Sequence, residues 1–355
     1  MKALVLAGGR GTRLRPLTHT AAKQLVPVAN RPILFYVLDN LGDAGIKEVG
    51  VIVSPETHKP IEQAAGDGSR WGFKIEYLLQ REPLGLAHAV QVARPFLGES
   101  PFVMYLGDNL IGSGIREFCK TFEKSQADAL ILLKQVEDPS SFGVVEIDSQ
   151  GRVLSLVEKP KQPRSDLALV GIYFFSPAVH RAVEEIQPSW RGELEITDAI
   201  QRLLDSARHV VSHVLKEWWI DTGKKDDLLA ANTAVLDEWV GRKIDGKVDK
   251  ESQVMGRVTI GRESSIRGST VRGPVIIGEN VSVENSFIGP FTSVGNGSQI
   301  VHSVIEHSVI LEGVSIQNVD RLEDSLVGNG AKIFQDQSSR HAYRLMVGDD
   351  SIVEL

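Results

Sequence analysis

The pattern of apolar and polar positions divides the chain into two parts with different periods. Up to about residue 242, short apolar runs typical of strands alternate with segments whose apolar positions recur at helical spacing. The strand-like runs cover residues 1–7, 48–54, 74–79, 102–106, 153–157 and 170–175, and the helix-like segments cover residues 33–45, 57–66 and 84–97. Such alternation predicts a doubly wound, mostly parallel α/β sheet of Rossmann-like architecture. Ligands bind such sheets at the carboxyl ends of the strands.

The second part of the chain has a period of 17 residues. Its apolar rows are Ile260, Ile277, Val294 and Leu311; Val271, Ile288, Ile305 and Leu322; and Ile266, Val283 and Ile300. The third row breaks at Gln317. Steps of six, five and six residues make three short flat faces per turn, which predicts a parallel β-helix of hexapeptide-like repeats. Ser269, Ser286 and Ser303 recur at equivalent places, and we expect them at the corners of the coils.

The two periods predict the organisation of the chain. We expect an α/β domain at residues 1–241, a linker at 242–253, the β-helix at 254–330 and a tail at 331–355. The linker is expected because residues 242–253 are polar and contain glycine. The tail holds one last alternating run, at residues 343–347.

Composition and charge restrict the class of protein. The 355-residue chain has a net charge of −7, which argues against nucleic acid or an anionic membrane as its main partner. No apolar run approaches the ~18 residues of a membrane span, and the chain starts with a strand-like run instead of a leader peptide. The single cysteine, Cys119, rules out an internal disulfide. Together these features predict a cytoplasmic protein without a membrane partner.

The first strand-like run leads into a turn that contains Gly8, Gly9 and Gly11. The cations around this turn are Arg10, Arg13, Arg15 and Lys23. Backbone N–H groups without flanking side chains, together with fixed cations, make a cradle for an anion such as a phosphate chain. The motif is neither a P-loop nor a dinucleotide fingerprint, since it lacks the Gly-Lys-Ser/Thr ending and has Leu14 in place of the third glycine. A tight turn between strand and helix is the alternative, but the spacing of the cations favours a phosphate site.

Acidic residues follow several apolar runs. Asp108 follows one such run, and Asp221 follows the sequence Trp-Trp-Ile. Mg²⁺ takes one or two protein carboxylates together with substrate phosphate oxygens, so these aspartates beside a phosphate cradle predict a magnesium site. The alternative for each aspartate is a helix cap or a turn. Glu158 and Lys159 place an acid and a base at the end of a further strand, and Thr197 is a candidate N-cap of the helix after it.

Several motifs resemble those of the sugar-1-phosphate nucleotidyltransferase family. Residues 8–18 read GGRGTRLRPLT, and residues 21–28 read AAKQLVPV. Further matches in the family's order stand at residues 80, 83–87, 106–109, 142–145, 158–160, 171–173, 191–198 and 219–223. The motif Lys23-Gln24-Leu25 is most similar to that of the glucose-1-phosphate thymidylyltransferases. With the added β-helix, the chain resembles the long form of these enzymes. In that form the β-helix is left-handed, so the resemblance implies this handedness here.

The resemblance also implies roles for individual residues. Arg13 and Lys23 are implied to hold the triphosphate and to form, with Asp108 and Asp221, the catalytic set, in which the two aspartates bind magnesium. The implied nucleotide contacts are Gly8, Gly9, Gly11, Thr12, Gln24, Gln80, Pro83 and Gly85. The implied sugar contacts are Gly143, Glu158 and Val170, and the implied contacts to the sugar's phosphate are Lys159 and Arg191.

These residues lead to an expected reaction, the Mg²⁺-dependent transfer of dTMP from dTTP to α-D-glucose 1-phosphate, giving dTDP-glucose and pyrophosphate. An enzyme that uses UTP or another sugar phosphate is the nearest alternative. The others are a bifunctional enzyme with an acetyltransferase half and a non-catalytic regulatory paralogue. Since the catalytic motifs all lie between Gly8 and Asp221, we expect the β-helix to serve assembly of a homo-oligomer. We also expect a chain that ends near Gly241 to keep its activity per folded molecule, with a change in its oligomeric state, solubility or thermal stability.

Overall fold

A computed structural model describes residues 1–9, 11–15, 17 and 22–335 of the chain. Within them the chain forms two compact units. The sheet unit consists of residues 1–9, 22–25 and 33–221, and the coil unit of residues 11–15, 17, 26–32 and 222–335. Among the helices of these residues, none is both long and apolar enough to cross a membrane.

The sheet unit is built around a nine-stranded mixed sheet. The strands up to residue 221 are β1 (Lys2–Leu6), β2 (Pro27–Val28), β3 (Arg31–Pro32), β4 (Glu48–Val53), β5 (Lys74–Leu79), β6 (Phe102–Leu106), β7 (Asn109–Ile111), β8 (Ala129–Gln135), β9 (Gly143–Ile147), β10 (Val153–Glu158), β11 (Leu167–Phe175), β12 (Val210–Val214) and β13 (Trp219–Asp221). The main path runs β10-β9-β11-β6-β1-β4-β5, and β8 joins β11 to β12. Strands β6, β1, β4 and β5 are parallel, whereas β11 is antiparallel to its neighbours. The predicted nucleotidyltransferase-like α/β fold is thus confirmed, with a mixed sheet.

Helices cover both faces of this sheet. The helices are α1 (Ile33–Asp43), α2 (His58–Ala65), α3 (Leu86–Val92), α4 (Arg94–Leu97), α5 (Arg116–Ser125), α6 (Ala178–Glu185) and α7 (Ile196–Asp205) in the sheet unit, and α8 (Lys225–Trp239) in the coil unit. Strand β1 lies at the centre: Ala3 and Val5 belong to the core that includes α1, and Leu4 and Leu6 to the core that includes α3, α6 and α7. Because successive side chains of a strand point to opposite faces, a strand buried on both faces is apolar throughout.

Local sequence signals place these elements closely, with one difference. The predicted strands at 74–79 and 102–106 coincide with β5 and β6. The helix predicted at 84–97 is two helices, α3 and α4, which meet at Ala93. The reason is Pro95, which has no N–H to donate to the carbonyl of Gln91 and instead occupies the first turn of α4.

The coil unit contains a parallel β-helix. Its strands are β14 (Lys243–Ile244), β15 (Lys247–Val248), β16 (Gln253–Met255), β17 (Val258–Ile260), β18 (Ser265–Arg267), β19 (Thr270–Arg272), β20 (Val275–Ile277), β21 (Ser282–Glu284), β22 (Phe287–Ile288), β23 (Thr292–Val294), β24 (Gln299–Val301), β25 (Val304–Ile305), β26 (Val309–Ile310), β27 (Ser315–Gln317), β28 (Leu326–Val327) and β29 (Lys332–Phe334). They form three parallel sheets, in the orders β14-β17-β20-β23-β26-β28, β15-β18-β21-β24-β27-β29 and β16-β19-β22-β25. The predicted β-helix is confirmed, and its repeats fit the left-handed form.

Two of the predicted apolar rows continue differently from the sequence pattern. Val294 pairs with Ile310 instead of Leu311, and Ile300 pairs with Ile316, so the third row does not break at Gln317. The step from Ile305 to Ile310 is one residue shorter than the equivalent step in the preceding coil. This shortening shifts the strict 17-residue count by one, and the two rows continue with the apolar residues Ile310 and Ile316.

The segment 242–253, predicted to be a linker, is part of the β-helix. Strands β14 and β15 pair in parallel with β17 and β18, so polar composition here marks a first coil with one exposed side. The predicted corner serines form a ladder: Ser269 Oγ accepts from the Ser286 N–H, and Ser286 Oγ accepts from the Ser303 N–H, both at 3.0 Å. The run predicted at 343–347 lies outside the described residues.

Candidate active site

The pairing of strands β7 and β13 brings Asp108 and Asp221 together. Asp108 lies in the turn between β6 and β7, and Asp221 ends β13. Strand β13 pairs with β7 in antiparallel register, which sets Asp221 opposite Asn109. Trp219 Nε1 donates to Asn109 Oδ1 at 2.7 Å, and Asn109 Nδ2 donates to Asp108 Oδ1 at 3.0 Å. The Asp108 side chain is therefore oriented through the strand that carries Asp221.

Lys23 lies between these two carboxylates. It begins a 3₁₀ turn, Lys23–Leu25, and its side chain is only 7% exposed. The ammonium contacts the Asp108 carboxylate and lies 3.9 Å from Asp221 Oδ1. Two carboxylates that converge on one cation are a donor set that Mg²⁺ accepts, given phosphate oxygens as further ligands. Within the described ranges, no group of three or more His, Cys, Asp and Glu side chains is placed to hold a metal without such help.

Two glutamines flank the glycine turn. A Cβ atom on Gly9 would lie 3.5 Å from Gln24 Nε2, and one on Gly8 would lie 3.8 Å from Gln80 Oε1. Gln24 is 2% exposed, and its Oε1 has no hydrogen-bond partner among the residues that the structure describes. A buried amide oxygen without a partner costs free energy unless a ligand donates to it. The side chains of Gln24 and Gln80 thus both lie beside the glycine turn.

Contacts of the Gln80 side chain hold the loop that follows it in place. Gln80 Nε2 donates to the carbonyl of Gly85 at 3.2 Å and lies 2.9 Å from His88 Nδ1. Gly85 has a φ of 103°, and a Cβ atom there would approach the Leu194 carbonyl oxygen to 2.4 Å. Only glycine fits this position. Pro83 is exposed in the same loop.

A second polar cluster surrounds Glu158, at the end of β10 and opposite Gly143. Arg191 Nη1 lies 3.4 Å and Lys159 Nζ 3.5 Å from Glu158 Oε1. Thr197 Oγ1 donates to Glu158 Oε2 at 3.4 Å. The N-cap of α7 is Glu195, so the predicted capping role of Thr197 is wrong: its hydroxyl bonds a distant carboxylate instead of the helix end. The structure brings together the predicted Gly143, Glu158, Lys159 and Arg191.

Arg191 has further acidic partners. Its Nη2 lies 2.8 Å from Glu193 Oε2, and its Nη1 lies 3.5 Å from Glu195 Oε1. Burial raises the pKa of the Glu195 carboxyl above its ordinary value. The carboxyl groups of Glu158, Glu193 and Glu195 therefore hold the Arg191 guanidinium in place.

Tyr173 is a residue that sequence reasoning missed. Its phenol is buried, and burial together with the charges of Glu158 and Asp221 raises its pKa. Its pKa thus responds to one carboxylate of each cluster. The available signal was its place in the matched motif at 171–173. Phe142 adds a second link, since its ring meets that of Trp219 edge-on at 5.2 Å.

The remaining expected site residues differ in their surroundings. Val170 is fully buried in the core and offers no surface to a ligand in this structure. Arg13, in a 3₁₀ turn at Thr12–Leu14 of the coil unit, lies beside Gly223, where a Cβ atom would be 3.2 Å from Nη2. Gly11, which has a φ of 61°, precedes that turn. Arg10 lies outside the described residues.

Comparison with known proteins finds similarity along the whole chain. A family model described as Nucleotidyl transferase matches residues 2–238. Glucose-1-phosphate thymidylyltransferases of Streptomyces antibioticus and Streptomyces griseus are each 50% identical, covering 100% of this chain and 99% of the relative. The low-salt glycan biosynthesis nucleotidyltransferase Agl11 of Haloferax volcanii is 46% identical over 100% of both chains.

Solved structures are similar as well. A protein of Bacillus anthracis described as a glucose-1-phosphate thymidylyltransferase has a TM-score of 0.64 at 33% identity, covering 68% of this chain and 98% of that one. A UDP-glucose pyrophosphorylase bound to UDP-glucose has a TM-score of 0.59 at 25% identity, covering 66% of this chain and 98% of that one.

Proposed function

The chain belongs to the nucleotidyl transferase family, and from this premise we propose that it transfers dTMP from dTTP to α-D-glucose 1-phosphate with the help of Mg²⁺. The products are dTDP-glucose and pyrophosphate. One observation carries the proposal: Lys23, Asp108 and Asp221 converge at the carboxyl end of β6. A cation and two carboxylates at this edge of a parallel sheet suit a metal-bound phosphate chain.

The proposed reaction needs no side-chain nucleophile. A phosphate oxygen of glucose 1-phosphate forms a bond to the α-phosphorus of dTTP as the bond from that phosphorus to the bridging oxygen breaks, and pyrophosphate leaves with that electron pair. Asp108 and Asp221 would hold Mg²⁺, which when bound would neutralise charge on the phosphates. Lys23 and Arg13 donate to phosphate oxygens, so that positioning and fixed charge account for most of the acceleration.

The residues beside the glycine turn are assigned to the nucleotide, and the cluster around Glu158 is assigned to the sugar phosphate. Gln24, whose buried Oε1 has no partner among the described residues, and Gln80 lie beside the glycine turn and accept or donate at the edge of the base. Glu158 accepts from sugar hydroxyls, while Lys159 and Arg191 hold the sugar's phosphate.

The test is pyrophosphate release measured over a matrix of nucleotides and sugar phosphates. We expect the highest kcat/KM for dTTP with glucose 1-phosphate. UTP differs from dTTP by the missing methyl group of the base and by an added 2′-hydroxyl. A pocket discriminates one methyl group by only roughly 10–200-fold and rejects an added hydroxyl weakly, so UTP should be measurably accepted. A higher kcat/KM for UTP would assign the chain to the chemistry of the UDP-glucose pyrophosphorylase that it resembles in structure. No release with any pair would overturn the proposal.

A further inference from the structure

The hairpin of β2 and β3 follows the site residues Lys23 and Gln24 directly in the chain. Its two strands pair Pro27 with Pro32 and Val28 with Arg31. The two residues between them, Ala29 and Asn30, have φ values of 48° and 61°. A two-residue hairpin with both central residues at positive φ usually contains asparagine or glycine, so alanine at the first position is strained. Such a conformation persists only where the surroundings impose it.

The restraint comes from helix α8 and from the β-helix, all within the coil unit. Asn232 of α8 is 1% exposed, and its Oδ1 accepts the N–H of Ala29 at 2.9 Å. The Nδ2 of the same amide donates to the carbonyl of Phe291 at 3.0 Å, at a corner of the β-helix. Asn30 Nδ2 donates to the carbonyl of Val294, the last residue of β23, at 2.6 Å. The strained turn is thus tied to one coil by two independent amide bridges.

We propose that Asn232 is a positioning residue: through Ala29 it fixes the hairpin, and thereby the course of the chain at Lys23 and Gln24. The β-helix then takes part in catalysis as the support of this segment, besides any role in assembly. The inference rests on the proposed function, since the effect is on dTMP transfer. It assigns a use to both hydrogen-bonding atoms of a buried amide that the expected site residues do not include.

The neighbouring residue provides a matched control. Thr233 Oγ1 lies 2.8 Å from His307 Nε2, so it too joins α8 to a corner of the β-helix, but its side chain makes no described bond to the hairpin. N232A and T233V therefore each remove a contact between the same helix and the same coils. Only N232A frees the Ala29 N–H.

The experiment compares N232A, T233V and N30G with the unaltered full-length chain. We expect N232A to lower kcat by about 10-fold or more, because small misplacement of reacting groups is costly, and to raise KM for dTTP through Gln24. N30G keeps the positive φ and removes the second bridge, so it should lower kcat in the same direction. T233V should keep kcat within about twofold.

Two further readouts separate positioning from stability. Amide hydrogen exchange in residues 26–32 should accelerate in N232A and stay unchanged in T233V. The double variant A29G/N232A should recover part of the lost kcat, because glycine adopts the turn conformation without strain. Equal losses of kcat in N232A and T233V would overturn the inference, as would a normal kcat in N232A with faster exchange. If the chain instead prefers another substrate pair, only the proposed substrate falls, and the variants are compared on that pair.

Discussion

Lys23 lies between the two aspartates of the candidate site. Its ammonium contacts Asp108 and lies 3.9 Å from Asp221, and its side chain is almost fully buried. Two carboxylates that converge at this point suit a divalent cation, given phosphate oxygens as further ligands. With a metal at the carboxylates, the ammonium becomes available to a phosphate chain. The same trio therefore serves both halves of the proposed chemistry.

The aspartates can be tested by removing one charge at a time. We expect D108N or D221N to lower kcat at least ~10²-fold with an intact fold, because each loses a charge that positions the metal. Circular dichroism checks the fold, and steady-state pyrophosphate release gives kcat. D43N, at the exposed end of α1, is the control and should behave as the unaltered chain. Near-normal turnover of a folded aspartate variant would remove that residue from the site.

Lys159 should differ from these aspartates in kind. It lies 3.5 Å from Glu158, in the cluster assigned to the sugar phosphate. K159A should mainly raise KM for glucose 1-phosphate, because a contact made equally in the ground state and transition state affects binding alone. The exposed Lys161 supplies the control, K161A, with unchanged kinetics. A raised KM for dTTP in K159A would contradict the division of the two phosphate sites.

Glu195 predicts a pH dependence of stability. Its pKa is raised in the folded state, mainly by burial, so the folded chain binds a proton at this carboxyl more tightly than the unfolded chain. The resulting stabilisation is full below the ordinary pKa and is lost as pH rises through the raised one. E195Q can still accept the Ser189 hydroxyl bond and lacks this titration. The difference in melting temperature, E195Q minus unaltered chain, should therefore increase with pH. A difference independent of pH would contradict the raised pKa.

At the level of secondary-structure elements, strand ends decide where the chemistry lies. Asp108 follows β6, Asp221 ends β13 and Glu158 ends β10, so three acidic residues come from strands far apart in sequence. The antiparallel pairing of β7 with β13 aligns the first two. Strand pairing thus converts separate motifs into one surface, whereas helices α1, α3 and α7 bury the strands that carry it.

The corrected row of the β-helix gives an element-scale prediction. Ile316 is fully buried in the third row, and Gln317, where the strict repeat would place that row, is only partly buried. I316A should lower the free energy of unfolding by about 2–5 kcal/mol because it leaves a cavity between stacked coils. Q317A should change it by no more than about 0.5 kcal/mol. Denaturant unfolding followed by circular dichroism measures both. A larger loss of unfolding free energy in Q317A than in I316A would instead support the strict 17-residue register.

At the scale of the whole molecule, the two units interleave along the sequence. The coil unit includes residues 11–15 and 26–32 as well as α8 and the β-helix. The turn that carries Arg13 and the hairpin after Gln24 thus belong to the same unit as the coils. Leu17 shows this directly, since a Cβ atom on Gly328 would lie 3.4 Å from its side chain. A domain boundary placed at residue 241 would cut through this unit.

This arrangement changes the expectation for a shortened chain. From the sequence, a chain ending near Gly241 should keep its activity, because every motif precedes that point. In the structure, such a chain loses Phe291 and Val294, the acceptors for Asn232 and Asn30. We now expect poor solubility and at least ~10-fold lower kcat per folded molecule, for the positional reason argued above. Size-exclusion chromatography with pyrophosphate release measures both, and full activity of a soluble shortened chain would contradict this.

The sequence alone determined many of the elements and the family chemistry. Apolar runs that are buried on both faces mark β1 and β6, because side-chain direction along a strand depends only on near neighbours. The 17-residue period determined the β-helix for the same reason, since each coil repeats the packing of the one before. The motifs identified Lys23, Asp108, Asp221 and Glu158 as candidates, because short stretches keep their residue types wherever the chain later places them.

Only the tertiary structure decided which of these residues meet, and which others join them. Lys23 and Asp108 are 85 residues apart, Trp219 and Asn109 are 110 apart, and Asn30 and Val294 are 264 apart. Such pairs leave no local period, because chain entropy and packing over the whole unit select them. Thr197 bonding Glu158 and Asn232 holding Ala29 are outcomes of that selection. Neither polar contact changes the local helix pattern, so neither could be read from it.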